Sequence, residues 1–185
     1  MKKTRILLFA ITMIACFASK SNAQINLGLD LGIAVPTTTS FSDIFKTGFG
    51  SSVIGEFFIN KKMSVGVNFG YYSFTGNESV IGESGWSWTF VPITANYKFF
   101  FKEDGFKPYI SAGLGLYALT MQQKINSYTQ SYSENKFGLY PSIGFMIGEK
   151  IKWCANLKYN YVNDADADFI SINAGAIFQL GSKNR

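Results

Sequence analysis

Residues Ile25–Val35 read INLGLDLGIAV, and the fold turns on their alternation. Every odd-numbered residue is a large aliphatic. Every even-numbered residue is small or polar: Asn26, Gly28, Asp30, Gly32 and Ala34. Successive side chains of a strand point to opposite faces, so this stretch has one greasy face and one small, polar face. In a water-soluble protein the greasy face covers a core and the polar face meets water. In a membrane barrel the greasy face meets lipid and the polar face turns inward.

The same alternation recurs along the chain. Thr47–Asn60 sets Val53, Phe57 and Ile59 against Ser52 and Glu56. Met63–Phe74 sets Met63, Val65, Val67, Phe69 and Tyr71 against Ser64, Gly66, Asn68 and Gly70. Trp86–Phe99 follows, and its first half, Trp86–Phe90, is out of phase with Ile93–Phe99. One extra residue restores a phase, which predicts a bulge near Val91-Pro92. Lys107–Thr120, Lys136–Gly148, Ile151–Val162 and Phe169–Leu180 complete a set of eight strands. Pro141 lies within one of them, although proline removes a ladder donor.

Short and long connections alternate. Asn60–Lys62, Phe101–Phe106 and Gly148–Lys150 are short. Pro36–Lys46, Thr75–Gly85 and Met121–Asn135 are longer and polar, with a shorter Asn163–Asp168. In an up-and-down meander all the long connections then fall at one end. The expected fold is all-β: an eight-stranded antiparallel up-and-down transmembrane β-barrel.

The composition of the two faces favours the membrane. The polar face carries Gly, Ser, Asn and single charges rather than the Lys, Glu, Arg and Thr that meet water. Glycine weakens an exposed strand but relieves crowding in a narrow lumen. Aromatics gather at two heights of the greasy face, Phe57, Tyr97, Phe99, Trp153 and Phe178 near the short turns and Tyr71, Trp86, Trp88, Phe137 and Tyr161 near the long connections. Such girdles mark the two interfaces of a bilayer. The competing reading is a soluble secreted lipocalin-like binding barrel with its aromatics inside.

Upstream, Lys2, Lys3 and Arg5 precede the apolar run Ile6–Ala18, and Ser21-Asn22-Ala23 supplies small residues for a peptidase. Residues 1–23 are expected to be a cleaved signal peptide and residues 24–185 the barrel domain. Met13-Ile14-Ala15-Cys16 offers a second reading, a lipidation site at Cys16. The segment also explains the apparent basicity. Beyond it, 13 basic residues face 12 acidic ones, which gives no footprint for nucleic acid. Cys154 is then the single cysteine, and the chain has no histidine. A Ser-His-Asp triad and ordinary zinc or haem ligation are therefore excluded, and no enzyme and no cofactor is expected.

Val91-Pro-Ile-Thr-Ala-Asn-Tyr-Lys-Phe99, Lys107-Pro-Tyr-Ile-Ser-Ala-Gly-Leu-Gly-Leu-Tyr117 and the last strand resemble the outer-membrane protein β-barrel domain family, the small OmpA/OmpX-like barrels of Gram-negative bacteria. The resemblance implies a monomer in the outer membrane, surrounded by lipid and lipopolysaccharide. It also implies delivery by periplasmic chaperones and insertion by the barrel-assembly machinery. Members usually end on an aromatic residue. Here Phe178 is followed by Gln179, Leu180 and Gly181–Arg185.

The candidate functional residues are few. Asp30, Glu56, Lys98, Lys152 and Lys158 face inward and are read as lumen ion-pair candidates rather than as an ion path. Asp164, Asp166 and Asp168, at alternate positions, are a weak candidate for a divalent cation. They lack the glycine and glutamate of an EF-hand loop. The expected function is that of a structural or surface-interaction barrel, meeting an unidentified extracellular ligand through its long loops. A minor pore or transporter for small solutes is the alternative.

Overall fold

The computed structural model describes residues 25–77, 85–125, 128–149 and 151–180. Eight strands form in chain order: β1 Ile25–Pro36, β2 Gly48–Asn60, β3 Met63–Thr75, β4 Gly85–Phe100, β5 Lys107–Ile125, β6 Tyr128–Ile147, β7 Ile151–Val162 and β8 Phe169–Leu180. Each pairs antiparallel with the next, and β8 pairs with β1, which closes the barrel. Carried around all the pairings, the register returns to β1 displaced by about ten residues, the stagger that lets tilted strands close. A short helix, α1 (Thr39–Ile44), lies in the connection from β1 to β2.

The two faces of Ile25–Val35 are sorted unambiguously. Leu29 and Leu31 are 59% and 70% exposed, whereas Asn26 and Asp30 are buried. The aliphatic face is outside on every strand. Val67, Ile93, Leu114, Ile143 and Ile172 continue the belt, and the lumen holds the polar set. An apolar exterior of this extent meets hydrocarbon, since a monomer in water rarely exposes so large an apolar surface.

Two turns depend on backbone freedom. Gly105 has φ +70 and Gly148 φ +115, conformations that side chains with a Cβ rarely adopt.

Three expectations are corrected. First, β4 has no bulge at Val91-Pro92. Pairing with β3 passes from Phe69↔Ile93 to Tyr72↔Phe90 with no residue added. Pro92 interrupts the ladder because it has no N–H, and the register resumes beyond it. The register shift lies instead beside the Lys61-Lys62 turn, between Phe58 and Asn60. Second, since β4 keeps one phase throughout, Trp86 and Trp88 face inward, not toward lipid, and pack against the core at the long-connection end. Third, Met121–Asn135 is not a loop. β5 and β6 run to 19 and 20 residues and pair as far as Ile125↔Tyr128. The hairpin stands beyond the rest of the barrel.

Pro141 is accommodated in the same way as Pro92. Pairing of β6 with β7 skips from Leu139↔Tyr161 to Ser142↔Lys158 without a register change, and Pro141 points outward. The proposed signal peptide and the candidate lipidation site at Cys16 lie outside the described residues.

Candidate functional site

The lumen has three storeys. At the long-connection end, Phe74, Phe90 and Phe169 project inward, each fully buried. They are inward because they share the phase of Asn68, Lys98 and Asn173 on their strands. Phe41 of α1 drops into the centre of this ring. Its own ring lies 4.8 Å from Phe74, 5.2 Å from Trp88 and 5.7 Å from Phe90. Such edge and tilted contacts add to the area that the rings bury. The α1 connection is tied down at both ends. Thr37 N–H donates to the Asp168 carbonyl at 2.9 Å, and Lys46 N–H donates to the Thr75 carbonyl at 2.9 Å.

The short-turn end has its own apolar plug. Phe100, Tyr109, Met146, Cys154 and Ile177 form a buried cluster, with Phe58 against it. Phe58 stacks on Phe100 at 5.5 Å.

Polar residues fill the storey between the plugs. Lys98 Nζ stands 2.9 Å from Glu56 Oε1, which also accepts a hydrogen bond from Ser64 Oγ at 2.6 Å. Lys158 Nζ stands 3.7 Å from Asp30 Oδ2, within ion-pair range but beyond a hydrogen bond, and Ser52 Oγ donates to Asp30 Oδ1. Aromatic rings complete the cation sites. Lys98 lies 4.6 Å from the Tyr109 ring, and Lys158 5.4 Å from that of Tyr140. An amide network on β7 and β8 flanks Lys158. Asn173 Nδ2 donates to Asn156 Oδ1 at 3.0 Å, and Tyr117 OH donates to Asn160 Oδ1 at 3.1 Å. The space left between Lys98, Lys158, Asn68 and Asn156 is about 20 Å³, room for about one water molecule. Among the described residues the middle storey is closely filled by these side chains.

Of the five inward charges singled out in the sequence, four are brought together as two pairs: Glu56 with Lys98, and Asp30 with Lys158. Lys152 stands apart. It lies beside the short-turn plug, paired across the sheet with Ile177, 8% exposed, with its ammonium 4.8 Å from the Phe58 ring, and it makes no ion pair among the described residues. Strand phase alone marks Phe58, Tyr72, Tyr109 and Tyr117 as inward bulk, whereas Phe41, Phe74, Phe90 and Phe169 of the upper plug are not marked by it. For those on strands the signal is an apolar side chain near a strand end, readable as inward only once the register of the strand is known.

The three aspartates do not converge. Asp168 Oδ1 accepts the Val162 N–H at 3.0 Å and Oδ2 accepts the Tyr159 hydroxyl at 2.8 Å, so both of its oxygens are engaged. Asp164 and Asp166 have φ of 54° and 45°, the left-handed turn conformation that aspartate tolerates. Among the described residues no group of three such ligands is placed to hold a metal. The run builds a turn. Asp168 also anchors the α1 connection, its N–H donating to Thr38 Oγ1 at 3.1 Å.

A closed barrel that is apolar outside and polar inside is a transmembrane β-barrel. The chain belongs to the outer membrane protein beta-barrel domain family, whose model matches residues 6–178. Solved structures agree on the fold. Neisserial surface protein A superposes with a TM-score of 0.63 at 17% identity, covering 86% of this chain and 100% of that one. The attachment invasion locus protein Ail of Yersinia pestis, solved with the heparin analogue sucrose octasulfate, gives 0.57 at 17% identity, covering 85% and 97%. OprG of Pseudomonas aeruginosa gives 0.50 at 13% identity, covering 87% and 98%. No curated protein sequence matches the chain.

Proposed function

We propose that this barrel is a non-catalytic, non-conducting outer-membrane protein that binds a partner at the cell surface through the β5–β6 hairpin. One observation carries the reading. From Tyr128 to Lys136 the outer edge of β6 pairs with no strand among the described residues, because pairing with β7 begins at Gly138. An open edge offers a row of backbone donors and acceptors to an extended segment of another protein. Tyr128 and Tyr132, 83% and 66% exposed, add aromatic surface beside it. The hairpin is not strongly basic, since Lys136 is paired with Glu134 at 3.2 Å. It therefore suits a peptide edge better than the sulfated ligand seen with Ail.

In this reading the hairpin faces outward and the short turns face the periplasm. The chain is exported with Gln24 as its first residue, and periplasmic chaperones and the barrel-assembly machinery insert it as a monomer among lipid and lipopolysaccharide. Its loops meet the extracellular partner, and the lumen pairs serve stability.

A truncated hairpin tests the assignment. Met121 and Tyr132 are paired, so residues 122–131 can be replaced by Asn-Gly, which closes a two-residue hairpin. The truncated barrel is expected to fold and to keep its altered gel mobility before boiling. Cells displaying it should lose adhesion to immobilised host surface and matrix proteins that the full-length chain captures. Equal adhesion by both forms would place the binding surface elsewhere.

A further inference from the structure

Inward-facing charge does not balance at the short-turn end. The inward carboxylates Asp30 and Glu56 are both engaged, by Lys158 and Lys98. Lys152 is left over. It is more than nine-tenths buried, yet among the described residues its ammonium makes no ion pair and lies 4.8 Å from the face of the Phe58 ring. A cation drawn partly out of water and not paired is costly, and a ring face offsets only part of that cost.

Lys152 stands at the short-turn end of the lumen, one inward step before Cys154 on β7. It borders the apolar plug of Phe100, Met146 and Ile177, and Lys152 pairs across the sheet with Ile177 of that plug. On the β6 side stands Gly148, where an added Cβ would come within 3.4 Å of the Lys152 Cα, so this wall carries no side chain. On the far side Lys107, half-buried at the start of β5, faces inward in the same phase as Tyr109. It pairs with Met146, which in turn pairs with Cys154, one inward step from Lys152. Two inward lysines thus share one mouth, and the inward carboxylate that acts on Lys152, Glu56, is already paired with Lys98.

We propose that this mouth is an anion site in which Lys152, assisted by Lys107, holds a phosphate group against the apolar plug. Lysine is a point charge on a flexible stem and suits phosphate without the fork geometry that arginine brings to a planar carboxylate. The phosphate belongs either to a lipid headgroup or to a soluble phosphate compound. The site does not depend on which end of the barrel faces the cell surface, nor on what the hairpin binds.

The test uses the whole barrel refolded in zwitterionic micelles and titrated with inorganic phosphate, read by NMR at the amides of Lys152 and Gly148 and at the lysine side chains. A second arm compares nanodiscs of phosphatidylcholine with nanodiscs containing phosphatidylglycerol. Saturable shifts centred on Lys152 are expected in at least one arm. A response to free phosphate identifies a soluble ligand, and a response to phosphatidylglycerol alone identifies a headgroup. Lys152→Gln should weaken binding at least tenfold. That variant removes an unpaired buried charge, so its unboiled gel mobility should stay that of a folded barrel. Lys61→Gln, on the exposed turn beside Glu103, should bind as the parent does. Absence of saturable shifts in both arms would overturn the proposal. So would an equal loss in Lys61→Gln, which would reduce the effect to general surface charge.

Discussion

Glu56→Ala is expected to destabilise the barrel by about 3–5 kcal/mol, the usual cost of stripping the partner from a buried charge. Both side chains are nearly excluded from solvent, 9% exposed for Lys98 and 1% for Glu56, so neither water nor salt can screen the change. The variant also leaves Ser64 Oγ without its acceptor. The double variant Glu56→Ala/Lys98→Met should recover most of the loss. A buried pair gains little over apolar side chains of similar size, and most of the single-variant penalty is the orphaned lysine. Urea unfolding in lipid vesicles, followed by tryptophan fluorescence, measures both. If the double variant is as unstable as the single one, the pair is not the source of the effect.

Leu114→Arg is expected to cost about 2–4 kcal/mol, the price of a guanidinium at the bilayer midplane. Leu114 lies near the middle of the membrane-spanning part of β5, points outward, and has Ala95 and Leu139 as its strand neighbours. Val67→Arg, on β3 and 62% exposed, should behave alike. Gly113, one residue away, faces inward against the ring of Tyr140, so Gly113→Arg should prevent closure of the barrel for lack of room. The two failures differ in their remedy. A thinner bilayer should relieve Leu114→Arg, since it lets the side chain reach the interface, and should not relieve Gly113→Arg. Normal folding of Leu114→Arg in bilayers of ordinary thickness would show that this face does not meet lipid.

Much of the barrel is legible in the sequence because lipid enforces a strict period of two. Ile25–Val35, Met63–Phe74 and Phe169–Leu180 each keep one apolar face, and strand bounds, phase and up-and-down order follow from such stretches. Legibility stops where the chain leaves the bilayer. Above it both faces of the β5–β6 ribbon meet water, so Met121–Asn135 has no apolar alternation and reads as a loop. Trp86 and Trp88 mislead for the opposite reason. They are large and apolar but lie in the inward phase, where they complete an aromatic plug, and treating them as lipid-facing requires a bulge that β4 does not have. The ion-pair candidates are visible as inward charges, yet their partners depend on strand stagger. That stagger gives Lys98 to Glu56 and Lys158 to Asp30 and leaves Lys152 with a ring.

Planar-bilayer recording of the purified barrel most directly tests whether the lumen is sealed. Eight strands enclose an interior about as wide as packed side chains, whereas porins use about 16–18. Here that interior is stopped by Phe41, Phe74, Phe90 and Phe169 at one end and by Phe58, Phe100 and Met146 at the other. No stable conductance is expected, and any brief steps should change in Glu56→Ala and in Lys158→Ala, which disturb the two pairs between the plugs. Long-lived conductance of porin size, unaffected by either substitution, would contradict the filled barrel.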